Sequence, residues 1–84
     1  MVFLALTESG LKSALSLAEK EGHPVWCGSN AISEEAYSAL NWNKLSHFNY
    51  DLSAADPEVI ADALDTIAQH HPDSVVWVEA RSTE

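Results

Sequence analysis

The chain alternates between short, densely apolar runs and longer stretches in which apolar residues recur every three or four positions. VFLALT, residues 2–7, is apolar up to its threonine, as in a strand buried on both faces. Leu11, Ala14, Leu15 and Ala18 then fall at helical spacing, with Lys12, Ser16, Glu19 and Lys20 on the other side. Ser9 is the expected N-cap and Gly22 the expected stop. PVWC, residues 24–27, reads as a second strand closed by Gly28, Ser29 and Asn30. Ser33 caps a second helix, with Glu34 and Glu35 in its first turn and Ala36, Tyr37 and Leu40 as its inner stripe. Asn41, Trp42 and Asn43 end it, since asparagines favour turns.

LSHFNYDLS, residues 45–53, alternates cleanly: Phe48, Tyr50 and Leu52 point one way, His47, Asn49 and Asp51 the other. That is a strand with one solvated face, suited to an edge or antiparallel position. A third helix starts with Asp56 as N-cap, Pro57 at the first helical position and Glu58 in the first turn. Its core face is Ile60, Ala63, Leu64 and Ile67, and it ends near His70 and His71, before the turn at Pro72 and Asp73. SVVWVEA, residues 74–80, is apolar on both faces until Glu79, and residues 81–84 read as a mobile tail.

The order is β-α-β-α-β-α-β. It predicts a small single α/β domain over residues 1–80, a sheet with packed helices and right-handed crossovers. The sheet is expected to be mostly parallel, with the third strand peripheral and an antiparallel edge orientation open to it. The first and last strands, the most apolar, are expected at the centre.

Size and charge narrow the function. A core built from 84 residues leaves little surplus over chain entropy, so self-association would add useful stability. Thirteen acidic residues face four basic ones, for a net charge of −9, and no lysine or arginine lies between Leu45 and Ala80. Phosphate backbones and anionic membrane surfaces require a basic footprint, so direct nucleic-acid or membrane binding is not expected. A basic protein partner fits the charge better. The single cysteine forms no internal disulfide. The apolar run at residues 2–6 is shorter than a signal h-region and lacks a basic flank, and no stretch approaches a membrane span, so the expected location is cytoplasmic.

If the first, second and fourth strands run parallel, their carboxyl ends share one rim, where open α/β sheets bind ligands. That rim gathers Thr7, Glu8, Ser9 and Gly10, then Cys27, Gly28, Ser29 and Asn30, then Glu79 and Arg81. Thr7, Ser9, Gly10, Ser29, Asn30 and Arg81 are the candidate ligand-binding residues. LTESGLKSA, residues 6–14, lacks the glycines of a phosphate-binding loop, and Glu8 repels anions. Cys27 lacks an activating base: His23, four residues along an extended chain, lies about 13 Å away. Cys27 is expected to pack beneath the rim. The four histidines and one cysteine show no metal-binding spacing, so no metal or cofactor is expected.

Glu58, Asp62 and Asp65 form an acidic stripe opposite the apolar face of the third helix. Trp77 is expected in the core and Trp26 beneath a helix. Tyr37, Trp42, Phe48 and Tyr50 form a candidate contact patch, because aromatic residues are enriched at interfaces. The expected function is a non-catalytic interaction or adaptor module acting as a homodimer, with third strands paired across a two-fold axis. The alternative is a small-molecule or nucleotide-type binding domain using the strand-end rim. An enzyme would need an adjacent nucleophile and base, a spaced carboxylate pair or a metal motif, and the sequence presents none of these.

Overall fold

The computed structural model describes residues 1–40, 42–52 and 57–79. Its elements are β1 (Val2–Ala5), α1 (Glu8–Glu21), β2 (Val25–Cys27), α2 (Glu34–Leu40), β3 (Leu45–His47), α3 (Pro57–His70) and β4 (Val76–Val78). The strands form one sheet in the order β3-β2-β1-β4, and every neighbouring pair is parallel. β3 is peripheral, but the antiparallel orientation left open to it is not adopted. Each connection carries a helix, which is what returns the chain to the starting end of a parallel sheet.

The chain steps outward from β1 to β2 to β3, then crosses back to place β4 on the other side of β1. Strand order therefore reverses between β1 and β4, the switch point at which open α/β sheets have a crevice. Alternation along the strands supplies two cores. Ala5, Val25, Cys27 and Leu45 pack with Leu11, Ala14 and Ala18 of α1 on one face. Val2 and Leu4, followed by Leu6, pack with Phe48, Leu52, Ala63 and Ile67 on the face covered by α3.

Three local expectations need correction. Thr7, not Ser9, caps α1: it is extended (φ −131°, ψ 167°) and its hydroxyl accepts the Gly10 N–H at 3.1 Å. The helix starts earlier because β1 ends at Ala5, leaving Thr7 as the last extended residue. β3 is short, yet the alternation beyond it still has a physical outcome. The chain leaves the sheet after His47 and drops Phe48 and Leu52 into the α3-side core.

The third correction concerns β4, which is an edge strand rather than a central one. Its partner on one side is β1, and the other side is open among the described residues. The expected stop at Gly22 is met by a left-handed residue (φ 72°) whose N–H reaches Ala18 O at 2.7 Å. The proposed turn residue Asn41, the cap Asp56 and the tail at 81–84 lie outside the described residues. Among the described residues no helix is long and apolar enough to cross a membrane.

Candidate functional site

At the switch point between β1 and β4, the chain supplies its own anion. The N–H groups of Leu6 and Thr7 donate to Glu79 Oε1 at 2.6 and 2.8 Å, and the Thr7 hydroxyl donates to Oε2 at 2.6 Å. The carboxylate lies at the amino end of α1, where exposed amides and the helix dipole favour negative charge. Gly10 makes the approach feasible, because a Cβ there would collide with the Glu79 carboxyl group. Thr7 and Gly10 do meet at the rim, but they are brought together around Glu79.

Asn30 is absorbed in the same way. Its Nδ2 donates to Leu6 O at 2.8 Å, and its Oδ1 accepts the Leu52 N–H at 3.0 Å. One side chain thus ties the ends of β1 and of the segment after β3 to the loop after β2. Gly28 leaves room for it, since a Cβ there would lie 2.9 Å from Leu52 N and Leu52 Cβ. Ser29 is fixed through its backbone, with its N–H on Tyr50 O at 2.9 Å, while its side chain and that of Ser9 face solvent. Arg81 lies outside the described residues.

Cys27 is completely buried, and burial pushes its thiol up to about 11. A buried thiol with a raised pKa is a poor nucleophile. His23 is turned away toward Glu21, 2.7 Å from its carboxylate. Among the described residues no three metal-ligating side chains cluster.

The proposed aromatic patch is largely spent inside the fold. Phe48 is buried, with Trp26 and Tyr50 at ring-centroid distances of 5.3 and 5.1 Å. The Tyr50 hydroxyl is raised by desolvation and then by the nearby Asp62 carboxylate. Trp26 lies under the end of α3, against His70 and His71. The Tyr37 hydroxyl donates to Leu45 O at 3.0 Å, and its ring stacks on His47 at 4.1 Å. Trp42 is half-buried against the α1-side core, and its carbonyl accepts the Leu45 N–H at 3.2 Å. Together Tyr37 and Trp42 close the outer edge of β3 at Leu45.

The other edge, that of β4, is open among the described residues. Val75 is 65% exposed, Trp77 57% and Val78 40%, and Leu17 of α1 beside them is 61% exposed. Trp77, expected in the core, is thus on the surface. The Val2 N–H donates to Val75 O at 2.8 Å and the Glu79 N–H to Leu4 O at 2.9 Å. The alternation of a strand then turns the N–H and C=O of Val76 and Val78 outward. A shallow groove of about 380 Å³ runs between α1 and β4, walled by Phe3, Ala14, Leu17 and Trp77.

A larger cleft of about 720 Å³ separates α1 from α2, lined by Leu11, Leu15, Ile32, Ala36 and Leu40, with Ser29 and Asn30 at one end. Of the expected inner stripe of α2, Tyr37 packs against the α1-side core while Ala36 and Leu40 stay exposed along this cleft.

Sequence reasoning missed the open edge. Its one sequence signal was Leu17, an apolar residue outside the Leu11, Ala14 and Ala18 stripe of α1. No family model matches the chain, and no curated protein or solved structure does either.

Proposed function

We propose that this protein is a non-catalytic protein–protein interaction module that works as a homodimer, meeting its partner through the β4 edge. One observation carries the reading: among the described residues an uncharged apolar strand edge stands open in a chain of net charge −9. Natural edge strands are ordinarily blunted by charge, proline or a covering element. The β3 edge has such a cover in Tyr37 and Trp42, which moves the interface from the expected third strand to the fourth. The exposed acidic stripe of Glu58, Asp62 and Asp65 on α3 suits a further, basic protein partner. A reducing, cytoplasmic setting agrees with a lone buried thiol.

Sedimentation velocity over a micromolar to submillimolar range tests the reading. The weight-average mass is expected to rise from one chain toward two. A single-chain mass throughout would refute it.

A second reading, a small-molecule site, is favoured by the α1–α2 cleft rather than by the rim polar groups. Its volume lies within the range of roughly 300–1,000 Å³ common for ligand pockets. Chemical-shift mapping with a panel of apolar small molecules tests it. Shifts confined to Leu11, Leu15, Ile32 and Leu40 are expected, and their absence would remove the reading.

A further inference from the structure

We infer that two copies join by antiparallel pairing of their β4 strands about a two-fold axis at Trp77, making one continuous sheet. The inference rests on the homodimer reading above and specifies its geometry. Val76 and Val78 present outward N–H and C=O groups, whereas Val75 O and Glu79 N are engaged with β1. With Trp77 on the axis, Val76 of one copy faces Val78 of the other. Both are outward-facing positions, so each such pair exchanges two hydrogen bonds. The edge is therefore complementary to itself in this register.

Trp77 faces Trp77 of the second copy as a non-hydrogen-bonded pair, the closer type, with Cα atoms about 4.5 Å apart. Both rings lie on the face covered by α1, because Trp77 is in register with Phe3, which packs on that side. Three strand spacings, about 14 Å, separate the two β1 strands in the joined sheet. Both Trp77 rings and both Leu17 side chains fill the trough above them.

Charge and area fit a second copy. Ser74 to Val78 carries no charge, and Glu79 turns its carboxylate toward Leu6 and Thr7. Two chains of net charge −9 thus meet where neither presents a charged side chain among the described residues. The exposed apolar side chains at this edge supply on the order of half of the roughly 800 Å² per partner of a standard interface. The rest of the contact comes from the strand hydrogen bonds and the backbone they cover, which places the interface at the small, weakly associating end of the range.

Hydrogen exchange and two variants test the geometry. The amides of Val76 and Val78 are expected to gain at least tenfold protection as concentration rises, while that of Glu79, bonded to Leu4, stays protected throughout. Val78→Pro removes an outward N–H and leaves the β1 ladder intact, so it is expected to give a folded monomer. Val78→Lys serves the same purpose should proline disturb the strand. Trp77→Cys is expected to form a disulfide-linked dimer with oxidised glutathione, without competition from the buried Cys27. A dimer that persists in Val78→Pro and Val78→Lys, with Val76 and Val78 amides unprotected and no link at position 77, overturns the register and leaves the homodimer standing. A monomer at every concentration overturns both.

Discussion

Replacing Gly10 by alanine should change sign with the identity of residue 79. In the native protein, the new Cβ would force the Glu79 carboxylate out of its seat. Three hydrogen bonds would go with it, from the N–H groups of Leu6 and Thr7 and the Thr7 hydroxyl. Hydrogen bonds to charged groups contribute about 1.5–3 kcal/mol each, but this carboxylate is half-buried and water replaces part of the loss. A total of about 2–3 kcal/mol follows for Glu79→Ala, or roughly 10–20 °C in Tm for a domain this size.

Gly10→Ala incurs the same loss but gains up to about 1 kcal/mol in helix propensity, for a net destabilisation of about 1–2 kcal/mol. In the Glu79→Ala background the carboxyl group that the new Cβ meets is gone. There the same substitution should stabilise the protein by about 0.5–1 kcal/mol. Urea unfolding of the four proteins at neutral pH, at one concentration that fixes the oligomeric state, measures the cycle. The expected coupling of about 2–3 kcal/mol exceeds the roughly 0.5 kcal/mol scatter of independent sites. Equal effects of Gly10→Ala in both backgrounds would refute the seating of Glu79 against Gly10.

Further outcomes follow from the same rim and core. Asn30→Ala should cost about 2 kcal/mol by leaving Leu6 O and Leu52 N unpaired, and Asn30→Asp should recover stability as pH falls toward about 4, where the carboxyl group can again donate to Leu6 O; urea titrations at two pH values check both. Above about pH 9 the ordinary thiol of an unfolded chain ionises while buried Cys27 stays neutral up to about 11. Stability is unaffected by this group below that window and falls across it, by on the order of 3 kcal/mol in all, a loss that Cys27→Ala should lack on denaturant titration. Tyr37→Phe should cost about 1 kcal/mol through its bond to Leu45 O, with faster exchange at the β3 edge as the structural readout.

The alternation of elements was readable because each helix carries a local signature: Gly22 stops α1, Ser33 starts α2 and Pro57 starts α3. Strand order was less accessible. Ser74 to Val78 is apolar on both faces, which marks a central strand only when a neighbour is present on each side. Nothing local distinguishes that case from an edge awaiting another chain. The third strand is at the edge as expected, but its length was overread, since the alternation of Phe48, Tyr50 and Leu52 reports burial on the α3 side rather than pairing within the sheet.

At the rim, the residues were identified and their partners were not. Thr7, Gly10 and Asn30 have the chemistry of a ligand site, and the sequence correctly gathers them at one end of the sheet. Whether such groups face a ligand or one another depends on contacts between positions 6 and 79, 7 and 79, and 30 and 52. No spacing rule spans such separations.

The placement of β4 beside β1 also sets an order of events during synthesis. β1 is made before both of its neighbours, and β4 follows only after α3. Until residue 79 emerges, the amides of Leu6 and Thr7 lack their carboxylate and one flank of β1 stays unpaired. Until β4 is in place the growing chain carries β1 with one open, apolar edge, the condition under which nascent domains recruit chaperones or misassociate. Closure of the sheet and seating of Glu79 become a single step, which makes β4 the checkpoint for β1.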